Sequence, residues 1–538
     1  MYSKLGGAAL GGVLVALSLP PWGWWPLAFV GISVLSLLLR EQPVWRRFRA
    51  GFAFGLGMFI VGLWWMGEFN IAGACLAVVV EALFMGIAGA VCPPGRGRTF
   101  GFPAALVLAE ALRRVVPFGG LPLAGIALGQ VGGPLAGAAR LGGELLLVAL
   151  VGIGGVAVAE LVGLDRRDQD AEPAGGDRPM AREQDGEAAQ PVPSGERVPA
   201  GAVGEPGRSN GPGPGVPIKR IPHLWPRPGV AVALVAGVAL AGAAAPDGSA
   251  GESIDVGAVQ GGGPRGFRGV DTDTGVVFGA QVAASERLRP PLDLVLWPED
   301  VIDVDRPIGS TPEAERVGLV ARRVGAPVVA GVVEDAGATR FRNATVVWSA
   351  AGTITDRYDK VHRVPFGEYV PWRGLVDRFA DLSVIPRDAI AGRGPGVVST
   401  SAGEMGVLIS SEVFFAGRAR AATGAGGSVL LVPTNAASFS TTQVPTQEVA
   451  AARLRAIESG RAVVQAAPTG YSAFIDHRGR VLARSTLGRR QVLQRPVTLR
   501  SGQTIYHRTG EWPLLALVAI ALAGGWWARP QQELRHLP

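Results

Sequence analysis

Long uncharged apolar segments alternate with short polar loops along the first third of the chain, and two more such segments follow later. Eight segments approach the roughly 20 residues that a helix needs to cross a bilayer; they cover residues 5–19, 24–39, 50–66, 71–91, 100–115, 141–163, 229–246 and 512–528. The first follows Lys4, as in a signal peptide, but it leads into another apolar segment rather than a small-residue cleavage site. The pattern therefore predicts eight transmembrane helices, with the first one retained.

Basic residues fall in every second loop between these segments. Arginine follows the second, fourth and sixth segments, at Arg40, Arg46, Arg47, Arg49, Arg96, Arg98, Arg166 and Arg167. Because cytoplasmic loops are enriched in Lys and Arg, we expect both termini in the cytoplasm and residues 247–511 outside it. Arg113 and Arg114 depart from this pattern. The formal net charge of +7 reflects the same bias, so we expect no nucleic-acid partner.

Residues 165–227 differ in composition from the segments around them. They are rich in Gly, Pro and charged residues and lack the apolar residues of a core, which predicts a disordered cytoplasmic linker or, alternatively, a partner-binding tail. The predicted order is a six-span membrane domain, this linker, a seventh span, a catalytic domain, an eighth span and a cytoplasmic tail, at residues 1–164, 165–227, 228–247, 248–505, 511–529 and 530–538.

Short apolar segments alternate with helical patterns between residues 252 and 500. The strands are predicted at "SIDVGAVQG", "LDLVLWPE", "PVVAGVVED", "NATVVWSAAG", "MGVLISSE" and "SVLLVPTN", and the helices at "TPEAERVGLVARRVG" and "PTQEVAAARLRAIESGRAV". Thr311 before Pro312 is a suitable N-cap. Continuous apolar strands are typical of a layered α/β domain whose sheets are covered on both faces. The predicted fold class is a polytopic α-helical membrane domain plus an extracytoplasmic α/β domain.

Three predicted strand ends carry polar side chains that suit catalysis. Glu299 ends "LVLWPE", where it is either a paired or desolvated general base or a carboxylate that caps the next helix. Lys360 is one of only three lysines among the 51 Lys and Arg residues. It is either a point charge beside an oxyanion or a chance lysine in an exposed loop. Ser410 ends "MGVLIS", at a turn that would expose a nucleophile.

The segments "LWPE", "DKVHRVPFGEYVP", "VLISSE", "VPTNAASF" and "AAARLRAIESGR" occur in this order after seven apolar segments and before an eighth. This arrangement resembles the apolipoprotein N-acyltransferase family of the carbon–nitrogen hydrolase (nitrilase) superfamily. The resemblance implies a nitrilase-like αββα sandwich, with Glu299 as general base, Lys360 on the oxyanion side and Ser410 in the nucleophile position. It also implies supporting roles for Glu368 and Glu412. Members carry arginine on the outer side between spans five and six, which would account for Arg113 and Arg114.

The same resemblance implies a reaction and its setting. An acyl chain would pass from a membrane phospholipid to the enzyme, and then to the N-terminal amine of the S-diacylglyceryl-cysteine of an apolipoprotein, in a ping-pong reaction. No cofactor or metal would be needed. The chain would be a multi-pass protein of the bacterial plasma membrane with its catalytic domain outside the cytoplasm, and we expect a monomer.

Ser410 departs from the family, which has cysteine at this position. Cys75 and Cys92 are the only cysteines of the chain, so the external domain has no thiol. A serine hydroxyl is much harder to ionise than a thiol of pKa about 8.5. His362 would share the strand face of Lys360 but has no counterpart role in the family.

Three interpretations of Ser410 stay open. The chain is a slow enzyme that works through the serine, an engineered Cys-to-Ser variant, or a non-catalytic paralogue that binds lipid or lipoprotein. A membrane-tethered amidase is a further alternative. Eight spans disfavour the amidase, because one anchor would suffice to tether it.

Overall fold

The computed structural model describes residues 2–68, 70–170, 228–263, 272–378, 381–382, 385–436 and 443–527. Its helices are α1 (Tyr2–Leu17), α2 (Pro26–Leu38), α3 (Val44–Gly62), α4 (Ile71–Val91), α5 (Arg98–Arg113), α6 (Ala139–Asp170), α7 (Pro228–Ala244), α8 (Thr274–Ser285), α9 (Pro312–Val324), α10 (Arg373–Val376), α11 (Ala416–Gly424), α12 (Val444–Ser459), α13 (Ile505–Thr509) and α14 (Trp512–Trp527). Its strands are β1 (Ser249–Gln260), β2 (Leu294–Leu296), β3 (Ile302–Val304), β4 (Val328–Asp335), β5 (Arg340–Trp348), β6 (Ile354–Asp359), β7 (Asp388–Ala389), β8 (Val397–Thr400), β9 (Gly403–Val407), β10 (Leu430–Pro433), β11 (Val463–Ala466), β12 (Ala473–Ile475), β13 (Val481–Arg484) and β14 (Gln491–Ser501).

Each of the eight apolar segments forms a helix, in α1 to α7 and α14. Among the described residues, two helical stretches are long and apolar enough to cross a membrane by length and composition, Ile71–Val91 and Ala136–Val162. Helix α6 continues to Asp170, into the start of the predicted linker. The rest of that linker, 171–227, and the predicted tail, 530–538, lie outside the described residues.

Helix α3 is shifted from the segment predicted at 50–66: it begins at Val44 and ends at Gly62. Its first turns contain Arg47, which is 2% exposed. The Arg47 guanidinium donates to the carbonyl oxygens of Gln42, Gly89 and Ala90 at 2.7–3.3 Å. Two of these carbonyls belong to the last turn of α4, where helix carbonyls lack partners within their own helix. Arg47 is therefore accommodated within α3, and the helix begins earlier than hydropathy alone predicts.

Arg113 and Arg114, which depart from the alternating charge pattern, are held by buried carboxylates. Arg113 is fully buried and pairs with Glu81 at 2.5 Å and with Glu110 at 3.2 Å. Arg114 pairs with Glu144 and, at 2.9 Å, with Glu511. These arginines therefore join neighbouring helices through ion pairs. They are not free loop charges of the kind from which the orientation in the membrane is predicted.

Helices α3 and α4 touch through glycine. A Cβ atom at Gly51 would lie 2.2 Å from the carbonyl oxygen of Met85, and one at Gly89 would lie 2.4 Å from that of Arg47. Small residues let two helix backbones approach closely, which is the common way to pack helices in lipid. Gly51 and Gly89 are thus contact positions between α3 and α4.

The chain from β1 to β14 folds into two stacked sheets. The first has the order β14-β1-β2-β4-β5-β6, with β3 and β7 at its margin, and the second has the order β13-β12-β11-β10-β9-β8. Apolar side chains from both sheets fill the space between them, among them Val256, Leu296, Val407, Leu431 and Val464. Helices α8 and α9 cover the first sheet and α11 and α12 cover the second. The predicted αββα layering is therefore present, and each quoted strand and helix lies within it.

Helix α9 begins as the sequence predicts. The Thr311 hydroxyl accepts from the Ala314 N–H at 3.3 Å, Pro312 occupies the first helical position, and Gly325 ends the helix in the left-handed conformation. Each of these residues satisfies a known helix-end requirement.

Helix α12 lies between the second sheet and the N-terminal helices. Polar side chains on its outer face reach the N-terminal region: Gln443 Nε2 donates to the Val61 carbonyl at 3.1 Å, and Gln447 Oε1 accepts from the Ala124 N–H at 3.1 Å. Arg455 pairs with Glu144 of α6 at 3.0 Å. Because both faces of α12 are covered, most of its side chains are buried.

The two ends of the sandwich lie side by side. Strands β1 and β14 pair antiparallel, with Ser249 opposite Ser501. The chain therefore leaves α7 and returns to α13 and α14 at nearly the same place, although more than half of the molecule's strands and helices lie between these two points.

Candidate active site

Four polar side chains follow strands at one edge of the sandwich. Glu299 follows β2, Lys360 follows β6, Ser410 follows β9 and Thr434 follows β10. Strands β1, β2 and β4 run parallel, as do β9, β10 and β11, so each sheet presents its carboxyl ends at this edge. Ligands in α/β sheets commonly bind at the carboxyl ends of strands.

Lys360 lies between two glutamates. Its Nζ donates to Glu299 Oε1 at 2.9 Å and to Glu368 Oε1 at 2.7 Å. Asn343 on β5 donates from Nδ2 to the same two oxygens at 2.9 and 3.1 Å. Both of these contacts of Glu299 are on Oε1, and no hydrogen bond to its Oε2 is found among the described residues.

Opposing effects act on the charge of Lys360. Burial alone would lower the pKa of its ammonium group, but Glu299 and Glu368 outweigh burial and hold that pKa well above its ordinary value. Lys360 therefore stays protonated at neutral pH. It can stabilise a developing oxyanion, and it cannot act as a proton acceptor.

Ser410 is held in a strained turn. Its φ is +49°, in the left-handed region that residues other than Gly, Asn and Asp rarely adopt. Such a conformation costs about 1–3 kcal/mol and is concentrated at functional sites. Its Oγ lies 3.4 Å from Thr434 Oγ1. Among the described residues, no hydrogen bond joins Ser410 to Glu299 or Lys360.

Glu412 fixes this turn against the segment after Lys360. Its carboxylate is fully buried and accepts from the N–H groups of Ile409, Val361 and His362, each at 3.0 Å. The Tyr358 hydroxyl also donates to it, at 2.9 Å. Ile409 precedes Ser410 and Val361 follows Lys360, so one carboxylate sets the position of the serine relative to the lysine.

Glu448 is a buried carboxyl group that the sequence analysis does not identify. Its Oε1 accepts from Thr434 Oγ1 at 2.7 Å, and its buried Oε2 has no partner among the described residues. Burial raises the pKa of this carboxyl to about 8, and the negative charge of the nearby Glu299 adds to the effect. No sequence signal marks it, because a glutamate early in an alanine-rich helix is ordinarily a solvent-exposed residue.

His362 does not complete a serine triad. Its ring lies against Phe415, with centroids 3.6 Å apart. Burial, followed by the charge of Arg418, lowers the pKa of its imidazole to about 4. The ring is thus neutral at pH 7, and among the described residues it makes no hydrogen bond to Ser410.

An exposed aromatic cluster borders the segment that carries Glu368. The ring of Phe118 meets those of Phe366 and Trp372 edge-on, at centroid distances of 5.9 and 4.9 Å. Trp372 is 70% exposed and Phe366 49% exposed. Tyr369 also donates to the Phe118 carbonyl at 3.3 Å, so the loop after α5 is attached to this segment.

Two family profiles match the chain. The apolipoprotein N-acyltransferase N-terminal domain matches residues 11–157, and the carbon–nitrogen hydrolase domain matches residues 257–506. Among solved structures, yeast (Saccharomyces cerevisiae) Nit3, a nitrilase-superfamily member, is 17% identical with a TM-score of 0.36 and aligns over 54% of this chain and 99% of its own. An amidase from Nesterenkonia sp. is 19% identical with a TM-score of 0.32, over 48% of this chain and 94% of its own.

Full-length relatives are also found. An apolipoprotein N-acyltransferase of Mycolicibacterium smegmatis is 30% identical over 97% of this chain and 84% of the relative. One of Pseudomonas aeruginosa (strain LESB58) is 28% identical over 98% of this chain and 96% of the relative. The chain therefore belongs to the apolipoprotein N-acyltransferase family and is an acyltransferase-like enzyme.

Proposed function

We propose that the chain moves an acyl chain from a membrane phospholipid to the N-terminal amine of S-diacylglyceryl-cysteine in apolipoproteins, through an ester on Ser410. The observation that supports this most directly is the buried Lys360 ammonium between Glu299 and Glu368, at the strand edge that also carries the strained Ser410. Two relatives that align over nearly the whole chain are named apolipoprotein N-acyltransferases.

The roles follow from the chemistry of each group. Ser410 Oγ attacks the carbonyl carbon of the donor ester, and the ammonium of Lys360 stabilises the resulting oxyanion. Glu299, through Oε2, accepts a proton from the incoming amine in the second half of the reaction. Glu368 and Asn343 keep Lys360 in place, and Glu412 positions the turn that carries Ser410.

Serine in place of cysteine changes the difficulty of each half-reaction. Forming the nucleophile is harder, because a hydroxyl ionises far less readily than a thiol. The ester intermediate is also less reactive toward an amine than a thioester. We therefore expect a slow enzyme whose intermediate persists long enough to be isolated.

Lipid access to this site is supported by the exposed aromatic cluster of Phe118, Phe366 and Trp372. Monomeric soluble proteins rarely expose contiguous apolar groups of this kind, which mark membrane or ligand contact surfaces. Aromatic rings are also favoured at the level of lipid headgroups. We propose that these rings lie against the outer leaflet and that a donor acyl chain reaches Ser410 past them.

A covalent adduct tests the catalytic proposal. The full-length protein is incubated with vesicles of phosphatidylethanolamine and phosphatidylglycerol, and the peptide containing Ser410 is analysed by mass spectrometry. We expect an added acyl chain on Ser410, none in Ser410→Ala, and transfer to a diacylated lipopeptide that rises strongly in Ser410→Cys. If neither the native protein nor Ser410→Cys is acylated, the non-catalytic lipid- or lipoprotein-binding alternative is correct.

We also propose the eight-span topology, with residues 247–511 outside the cytoplasm. Cysteine introduced at Ser310, an exposed residue, in a Cys75→Ser background should react with an impermeant maleimide on intact cells. Cysteine at the exposed Glu41, in the short loop between Arg40 and α3, should react only after permeabilisation. The reverse pattern would invert the proposed orientation.

A further inference from the structure

Three side chains form a continuous hydrogen-bonded line from the strained turn into the interior. Ser410 Oγ lies 3.4 Å from Thr434 Oγ1, and Thr434 Oγ1 lies 2.7 Å from Glu448 Oε1. Thr434 is fully buried and Glu448 is 4% exposed. Lys360 is contacted instead by Glu299 and Glu368, and the charges of Lys360 and Glu299 both act on Glu448. Glu448 is thus a further carboxyl group at the site, one to which the proposed function gives no role.

We propose that Thr434 and Glu448 form a relay that takes the hydroxyl proton of Ser410 when the serine attacks. This inference rests on the proposed function, because it assigns the proton acceptor for the nucleophile of that reaction. Glu448 acts on Ser410 only through Thr434 and is therefore a positioning and relay residue.

The direction of the line follows from the number of protons on a hydroxyl. Thr434 carries one hydroxyl proton, and the 2.7 Å contact directs it to Glu448 when that group is a carboxylate. The longer contact is placed with Thr434 donating to Ser410 Oγ. Because Thr434 has only one hydroxyl proton, it cannot donate to both partners at once, so when the Glu448 carboxylate takes that bond the Ser410 hydroxyl is left to donate to Thr434 Oγ1. A bond in which Ser410 donates aligns its lone pairs toward the opposite side, where a carbonyl carbon would approach.

The protons of both half-reactions balance, through this line in the first and through Glu299 in the second. As Ser410 Oγ bonds to the carbonyl carbon, its proton passes to Thr434 Oγ1 and the Thr434 proton passes to Glu448. When the bond from that carbon to the glycerol oxygen breaks, the leaving oxygen takes up the proton held by Glu448, again through Thr434. In the second half-reaction the amine nitrogen bonds to the acyl carbon and its proton passes to Glu299. Glu299 then gives that proton to Ser410 Oγ as the bond from this oxygen to the acyl carbon breaks.

The surroundings of Glu448 make it a better base than an exposed glutamate. Its pKa is raised to about 8, first by burial and then by the negative charge of Glu299, while the Thr434 hydrogen bond and the charge of Lys360 oppose this rise. Glu412, on the turn that carries Ser410, already accepts hydrogen bonds from three backbone N–H groups and from Tyr358. A general base is most effective when its pKa lies near the working pH.

A serine-directed probe tests the relay without relying on lipid transfer. Full-length protein in detergent is treated with an alkyl fluorophosphonate, and the rate of Ser410 phosphonylation is measured by mass spectrometry between pH 5.5 and 9.5. We expect the rate to rise with pH through a midpoint near 8. Thr434→Val and Glu448→Gln should each slow labelling by about 10²–10⁴-fold, abolish that rise, and give the same loss when combined.

A matched control separates the relay from general damage. Glu458 lies on the same helix, is buried, and also has a raised pKa, chiefly through burial, but it contacts Arg455. Glu458→Gln should keep the midpoint near 8 even if the protein becomes less stable. The relay is overturned if native Ser410 is not labelled, or if Thr434→Val and Glu448→Gln keep the native rate and pH profile. Labelling that depends on both residues, without acyl transfer, would support the relay and reject the proposed function.

Discussion

Replacing Glu412 by glutamine tests how the turn of Ser410 is held. The carboxylate accepts on Oε1 from the Val361 and His362 N–H groups and on Oε2 from the Ile409 N–H. Glutamine keeps the shape but replaces one oxygen by an amide NH₂. Placed at the Oε2 position, that amide breaks one backbone hydrogen bond, whereas at the Oε1 position it breaks two. Glutamine should therefore adopt the first arrangement.

The cost of Glu412→Gln follows from that single loss. A buried N–H without a partner costs about 1–3 kcal/mol, and the remaining bonds lose the strength that the charge gave them. We expect the free energy of unfolding to fall by about 2–3 kcal/mol on this basis. Because Ile409 precedes Ser410, fluorophosphonate labelling of the serine should also fall at least tenfold.

Denaturant unfolding in detergent, followed by tryptophan fluorescence, gives the stability change. Glu404→Gln is the control, since Glu404 is an exposed carboxylate on β9 whose side chain accepts from the Ser399 hydroxyl at 2.7 Å; surface changes of this kind alter stability by less than about 0.5 kcal/mol. A Glu412→Gln protein with native stability and native labelling would refute the role assigned to this carboxylate.

Two further changes have defined outcomes. Gly51→Ala should lower the yield of folded protein in membranes, because its Cβ would lie 2.2 Å from the Met85 carbonyl oxygen; Gly6→Ala, with nothing within 4 Å, should not, and equal yields would refute the helix contact. The pKa of Glu448 is raised from an ordinary value of 4.5 to about 8, so the folded state keeps a proton that the unfolded state has lost. Its contribution to stability is complete below pH 4.5 and is lost as pH rises to about 8; Glu448→Gln should remove this slope from the unfolding midpoint, and an unchanged slope would contradict it.

The sequence predicts the sandwich well because its strands are buried on both faces. Continuous apolar segments such as those of β2, β4 and β10 have few other structural solutions. Thr311 and Pro312 likewise predict the start of helix α9 from the local sequence alone. The sequence does not predict short strands such as β3, β7 and β13, because two to four residues carry too little pattern to distinguish a strand from a loop. It also misses the longer β6 and β14, which lie at the two ends of the first sheet and have mixed polar sequences rather than a continuous apolar pattern.

The site is predicted only where local sequence carries its chemistry. Lys360 is noticeable because lysine is scarce, and Glu299 because a carboxylate ends an apolar strand. Asn343 and Glu448 gain their roles from tertiary contacts: Asn343 meets two glutamates that are distant in sequence, and Glu448 meets Thr434 only because α12 lies over the end of β10. Periodicity within one element does not contain that information.

The adjacent ends of the sandwich have a mechanical consequence. Two tethers that leave from Ser249 and Ser501, on neighbouring strands, would by themselves act as one hinge, about which the whole sandwich could rock. Helix α12 supplies further points of support on the N-terminal helices, through Gln443, Gln447 and Arg455. Contacts at a distance from the two tethers keep the sandwich from tilting about them. These contacts, the brace, therefore set the distance between Ser410 and the N-terminal helices. Under the proposed acyl transfer, weakening the brace should therefore change which acyl lengths reach Ser410 before it changes the chemistry of the serine itself.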